Sequence, residues 1–162
     1  MWNKIENDQF AVQVNDKGAE LSSIPRKADG LEYMWQGDPA IWSGRAPILF
    51  PIVGRLMEDT YTYQGRQYTL PKHGFAKKKT FTLLQADATS LLYALCSDDD
   101  TMKMYPFPFE LRVEYRLTGN TLAVNQQVIN QGKGEMYFSL GAHPAFACDM
   151  GDTIVLNQRE TL

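Results

Sequence analysis

An all-β fold is what this sequence predicts, and three observations carry the prediction. Two adjoining runs, ELRVEYRL (110–117) and TLAVNQQVIN (121–130), alternate apolar and polar residues with the period of a half-buried strand. Short stretches rich in β-branched and aromatic residues recur along the chain, separated by Asp, Asn and Gly at short intervals. No convincing amphipathic helix of about ten residues or more interrupts them. The expected architecture is a meander of hairpins in a sandwich of sheets.

In chain order, FAVQV (10–14) reads as a strand that the turn residues NDKG end, and LEYMW (31–35) as a strand after ADG. TYTY (60–63) and QYTL (67–70) flank Gln64-Gly65, while TFTLL (80–84) and LLYALC (91–96) flank QADATS, two further hairpins. SDDDTMKMY (97–105) suits one or two helical turns with an aspartate as N-cap, stopped by Pro106 and Pro108. In ELRVEYRL, Leu111, Val113, Tyr115 and Leu117 share the inner face, and Glu110, Arg112, Glu114 and Arg116 the wet one. TGN then turns the chain into a second strand whose inner face carries Leu122, Val124 and Val128. MYFSLGA (136–142) is a strand ending at His143, and TIVLNQRETL (153–162) looks like another β-segment followed by a turn signal.

A chain of 162 residues can bury roughly two-thirds of its unfolded surface as one domain, so residues 1–162 are read as one. The formal net charge of -3, with both signs interspersed, provides no large basic field for phosphate backbones or anionic lipid, so neither nucleic acid nor membrane is expected as a partner. The opening MWNKIENDQF carries charges where an export signal needs an apolar core, and no run approaches a membrane span; a cytoplasmic protein is expected. In that setting Cys96 and Cys148 read as free thiols. No clustered Cys/His spacing suggests a metal, and no cofactor motif is present.

Three segments bear residues capable of chemistry. In GRAPILFPIVGRL (44–56), Pro47 and Pro51 bracket an apolar run and each removes a backbone donor, so the segment makes a better edge or irregular wall than a central strand. Arg55 follows Gly54 there; it reads either as a surface cation at a turn or as a planar fork of donors for sugar hydroxyls or a carboxylate. In LPKHGFA (70–76), His73 precedes a glycine at a strand end, where a solvated histidine is the ordinary outcome. In FSLGAHPAF (138–146), Pro144 pushes His143 toward an extended backbone, and an imidazole held at a strand end suits positioned proton transfer near neutrality.

Taken together, PILFPIVGRL, LPKHGFA, YPFPFEL and FSLGAHPAF occur in an order and at intervals that resemble the galactose mutarotase (aldose 1-epimerase) superfamily, specifically its LacX-like branch. The resemblance runs along almost the whole chain. It implies a β-supersandwich and a cofactor-independent interconversion of the α and β anomers of a monosaccharide, a hexose. It makes His143 the general acid at the ring oxygen, His73 the residue that holds the ring-oxygen side and assists, and Arg55 a hydroxyl-binding residue. Arg45 is a weaker binding candidate on the same wall, and Phe75 and Phe146 offer apolar faces that also suit a core.

The sequence departs from the family in one respect. Members approach 300 residues, and the glutamate that serves as their base lies on a late strand beyond position 162, so the resemblance covers an N-terminal portion of the supersandwich. Glu110, Glu114 and Glu135 fall in hairpin or turn positions and do not replace it. Uncovered sheet edges would then call for a homo-oligomer or a C-terminal segment. Two alternatives stay open: a carbohydrate-binding sandwich without catalysis, and a hexose-6-phosphate 1-epimerase-like enzyme. For the last, Lys77, Lys78 and Lys79 are relevant, although a solvated edge is their ordinary reading. Asp98, Asp99 and Asp100 read as helix capping, and Trp2, Trp35 and Trp42 as buried or sugar-stacking aromatics.

Overall fold

A computed structural model describes residues 1–156. In chain order the strands are β1 (Trp2–Glu6), β2 (Ala11–Asn15), β3 (Glu20–Ser23), β4 (Ile48–Leu49), β5 (Thr60–Tyr63), β6 (Arg66–Thr69), β7 (Thr82–Ala86), β8 (Ser90–Cys96), β9 (Phe109–Thr118), β10 (Thr121–Asn130) and β11 (Gly141–Ala142), with helix α1 (Asp99–Met104) between β8 and β9. They form four antiparallel sheets, ordered β1-β2-β3, β10-β9-β8-β7, β11-β4 and β5-β6.

The alternation in β9 becomes a core face. Phe109, Leu111, Val113, Tyr115 and Leu117 are buried, while the residues between them are partly or fully exposed. Each such side chain contributes about 1.5–3 kcal/mol through the water it sheds. Thr118 pairs with Thr121 across a two-residue loop, and β10 follows in unbroken register to Asn130–Phe109. Because β10 is the outer strand, its apolar side stays half-covered, and Val124 is exposed. Gln64 and Gly65, both at positive φ (49° and 77°), close β5 onto β6 as a primed turn requires.

Asp98 caps α1 by a reciprocal pair of bonds. Its carboxylate accepts from Thr101 N–H at 2.7 Å, and the Thr101 hydroxyl accepts from Asp98 N–H at 2.8 Å. The three-stranded sheet is tied to the four-stranded one by Asn3 Nδ2 donating to Tyr93 Oη (2.9 Å) and Tyr115 Oη donating to Ala19 O (2.6 Å). The apolar residues buried between them form one cluster with Phe50, Phe75 and Tyr105.

Three expectations are corrected. LEYMW forms isolated bridges, Pro25–Glu32 and Met34–Phe146, instead of a strand. The Glu32 carboxylate accepts the N–H groups of Ile24 and Met34, both at 2.8 Å, taking donors that a ladder would use. MYFSLGA is a strand only at β11; Ser139 N–H reaches Pro51 O at 2.9 Å, but a proline has no N–H to return, and Tyr137 and Phe138 remain exposed. Residues 153–156 of TIVLNQRETL carry no ladder, and the rest of that segment lies outside the described residues. Strands β1 and β3 lie outside the expected elements, whereas β4 is a two-residue edge strand in the segment expected as an edge or irregular wall; of β1 only Ile5 is buried, so its pattern carries little apolar signal. Cys96 and Cys148 are free and exposed.

Candidate active site

Residues 44–56 act as a common template for both histidines. Glu20 fixes the near end, its Oε1 accepting the N–H groups of Arg45 (2.9 Å) and Ala46 (3.0 Å). From there β4 pairs with β11, Gly141 opposite Leu49 and Ala142 opposite Ile48. The pairing carries on past the strand: His143 N–H donates to Pro47 O at 3.1 Å and Ala145 N–H to Arg45 O at 2.8 Å. His143 is therefore placed by its own backbone, and its ring lies edge-on to Trp42 with centroids 5.1 Å apart.

The other end of the template holds His73. Phe50 O accepts from Phe75 N–H (3.0 Å) and Ala76 N–H (3.2 Å), and Gly54 O accepts from His73 N–H (2.7 Å). Gly54 N–H in turn donates to His73 Nδ1 at 3.0 Å, so the proton of the neutral ring sits on Nε2. To turn this tightly, His73 and Gly74 both take left-handed conformations, φ 64° and 66°. For His73 that is a strained conformation of a kind that gathers at functional sites. At Gly74 only a glycine fits, because a Cβ would come within 2.1 Å of Phe50 O.

His73 and His143 line one cavity of about 540 Å³, together with Trp42, Glu20 and the lysines 17, 72, 77 and 78. Burial, then the ammonium groups of Lys77 and Lys72 and the ring of His143, hold the His73 pKa below its ordinary 6.5. His73 is thus poised as a neutral Nε2–H donor around neutral pH. Lys77 is also held below the ordinary lysine range, first by burial and then by Lys78 and Lys72.

The remaining candidates sit apart from this lining. Arg55 directly follows Gly54, but its guanidinium points to Asp59 in a bidentate pair, Nε–Oδ1 and Nη2–Oδ2 both 2.7 Å. Arg45 is a stitch between segments: Nη1 donates to Ser22 O, Nη2 to Gln36 O, and the group lies over the Trp2 ring. Phe75 is buried against Phe50 and Phe109. Phe146 is half-exposed beside Met34.

The sequence matches the family model described as Aldose 1-epimerase over residues 2–162. The chain belongs to the aldose 1-epimerase family. It is 39% identical over 153 residues to the LacX proteins, plasmid and chromosomal, of Lactococcus lactis subsp. lactis, an alignment covering 91% of this chain and 51% of theirs. The chain thus spans about half the length of the curated relatives it matches. Among solved structures it is similar to a galactose mutarotase related enzyme from Lactobacillus acidophilus (TM-score 0.90, 42% identity, 94% of this chain and 52% of that one). A galactose mutarotase-like protein from Lactobacillus casei ATCC 334 is similar too (TM-score 0.88, 37% identity, 90% and 50%). The fold is accordingly the galactose mutarotase type.

In this aldose 1-epimerase family member, three site residues escaped the sequence reading. Glu20 opens β3, Lys17 comes from the β2–β3 turn, and Lys72 from beside His73. The run Lys77–Lys79, expected as a solvated edge, divides instead: Lys77 and Lys78 face the cavity, while Lys79 pairs with Asp98 at 2.8 Å. Alternate side chains of an irregular turn have no period, and the signal available was only the density of lysine around His73.

Proposed function

We propose that this cavity opens and recloses the ring of an aldose, as part of an aldose 1-epimerase site. The observation that carries the reading is that His73 and His143, far apart in sequence, line one hollow from a single backbone template. His143 acts as the general acid, delivering a proton to the ring oxygen as the C1–O5 bond breaks. His73, kept neutral by burial and its lysine neighbours, donates Nε2–H to the same oxygen. A base removes the anomeric hydroxyl proton, giving the open-chain aldehyde; rotation about C1–C2 and reversal of both transfers yields the other anomer. Both protons return, so the cycle balances without a redox partner.

The base in this reading is the glutamate that the family resemblance places beyond residue 162. Glu20 serves another purpose, because its Oε1 already holds two wall N–H groups. Arg55 enters as a hydroxyl donor through Nη1, which has no partner among the described residues, while Asp59 orients the fork. The exposed side of β10 with Tyr137 and Phe138 is covered, in this reading, by further chain or by a second copy. A binding module without catalysis is the second reading, favoured by the engagement of the cavity carboxylate.

Polarimetry of freshly dissolved α-D-glucose and α-D-galactose separates the two. The protein carrying this sequence should accelerate equilibration, and His143→Ala should lower the rate roughly a hundredfold or more with far-UV circular dichroism unchanged. An unaltered rate in that variant would remove His143 from the chemistry.

A further inference from the structure

The two cavity histidines are held by different means. The His73 ring is half-buried and fixed at Nδ1 by the Gly54 N–H. The His143 ring makes no such bond among the described residues, and the residue is exposed. Its backbone is set by Pro47 O, but its side chain lies against the Trp42 indole, centroids 5.1 Å apart and planes at 64°. An exposed side chain left to itself exchanges among staggered rotamers. A proton donor that does so spends little time aimed at one ring oxygen.

The indole is itself built into place. Trp42 N–H donates to Asp38 O at 2.8 Å, and Asp38 Oδ1 accepts from Ala40 N–H at 2.8 Å, which closes residues 38–42 as a tight turn. Trp35 ties that turn to the histidine segment. Its Nε1 donates to Trp42 O at 2.8 Å, and its backbone N–H donates to Ala145 O at 3.0 Å, two residues beyond His143. Gly44 supplies the space, because a Cβ there would fall 2.6 Å from Trp42 Cζ2 and 2.8 Å from Cε2. Its φ lies outside the left-handed region, so the close approach of the ring, and not turn geometry, is what calls for glycine.

We infer, resting on the epimerase reading, that Trp42 is a positioning residue: its indole holds the His143 imidazole in the rotamer that lines the cavity, and Trp35 and Gly44 hold the indole. Trp42 thereby takes part in the proton transfer without touching the sugar, which separates it from an aromatic platform for sugar C–H groups. A platform contributes to binding, whereas a brace contributes to the transfer step itself. A brace also works solely through the group it holds, so removing it costs nothing once that group is gone.

The experiment measures kcat and KM for anomer equilibration of α-D-glucose and α-D-galactose in the full natural chain that carries this sequence, with far-UV circular dichroism reporting the fold of each variant. Trp42→Leu should lower kcat by about tenfold and leave KM within about twofold, a part of what the acid itself supplies. Trp42→Phe should keep most of kcat. Gly44→Ala, which retains the tryptophan but displaces its ring, should reproduce the loss. In a His143→Ala background, Trp42→Leu should change the residual rate by less than about twofold. A raised KM with kcat preserved would overturn the inference and make Trp42 a sugar contact; an undiminished loss in the His143→Ala background would overturn it as well, and both results leave the epimerase reading standing. The His143 ring protons provide a readout that needs no turnover: in the parent protein the indole ring current should displace their NMR resonances, and Trp42→Leu should abolish the displacement while the His73 resonances stay in place. Should neither sugar be equilibrated faster than in buffer, the epimerase reading fails by itself, and those resonances decide the brace. Displacement lost in Trp42→Leu supports it, and resonances undisplaced in the parent, or unchanged by the substitution, overturn it.

Discussion

The sheet β7–β10 and the wall formed by residues 44–56 are held together in different ways. In the sheet, β8, β9 and β10 pair residue by residue, and one alternating face feeds a continuous core. On the wall, a two-residue ladder is extended by single bonds to prolines and glycines and by the side chain of Glu20. Redundant pairing makes the sheet tolerant of local loss, whereas each wall contact has no substitute. Both cavity histidines hang from the less redundant of the two.

The largest effect should come from the place where the regions meet. Phe109 opens β9 and is fully buried, its ring 5.0 Å from that of Phe50 on the wall. Phe109→Ala should destabilise by about 4 kcal/mol, through lost transfer energy and the cavity left behind. Urea unfolding followed by tryptophan fluorescence and by far-UV circular dichroism should shift together, since sheet and wall share that contact. Separate transitions would show that the wall unfolds independently.

Gly74→Ala should discriminate between them. Its Cβ cannot coexist with Phe50 O, so the loop must move, at a cost of about 3 kcal/mol, near the top of the ordinary range for single substitutions. The damage should stay local: amide exchange at Gly54 and His73 should speed up while β8 and β9 keep their protection. Uniform loss of protection would mean that wall and sheet are one cooperative unit. A smaller effect is expected at α1, where Asp98→Ala removes the capping bond from Thr101 and should cost about 1 kcal/mol. That aspartate is drawn down to about 2 by Lys79 and the Thr101 N–H. Its contribution is present above the ordinary carboxylate value of 3.8 and fades as pH falls toward 2, which acid titration of parent and variant should show.

The same contrast governs what could be read from the sequence. Strands β9 and β10 were legible because each position alternates, and α1 because Asp98 and Thr101 carry their capping chemistry locally. The family resemblance supplied the pairing of His73 with His143; spacing alone left each a solvated or undecided histidine. LEYMW misled because it has strand composition while Glu32, the second residue of the run, accepts the amides of Ile24 and Met34 with its side chain. MYFSLGA misled because its strand partner is a proline-bearing segment, a fact about residues some ninety positions earlier. Arg55 shows the limit at a single residue: the sequence leaves it between a surface cation and a fork of donors, and the bidentate competition from Asp59 depends on a turn in which Glu58 and Asp59 take positive φ. Nothing in their residue types announces that conformation.

The finest test concerns one proton. His73 accepts a hydrogen bond at Nδ1 from Gly54 N–H, a bond that an imidazolium would forfeit, and burial with Lys77 and Lys72 opposes the charged ring further. Its folded pKa therefore lies below 6.5, and just beneath that pH an unfolded chain binds a proton that the fold does not. The resulting stability is in place above 6.5 and is lost as pH falls through the folded value. Heteronuclear NMR of the imidazole should show the Nε2–H tautomer at neutral pH and a midpoint below 6.5. Lys77→Gln should move that midpoint upward without reaching 6.5, because burial is the larger cause and remains. A Nδ1–H tautomer, or a midpoint at or above 6.5 in the parent protein, would break the link between the wall and the chemistry: Gly54 would then be holding the loop alone, and His73 would have no preset role as a donor to the ring oxygen.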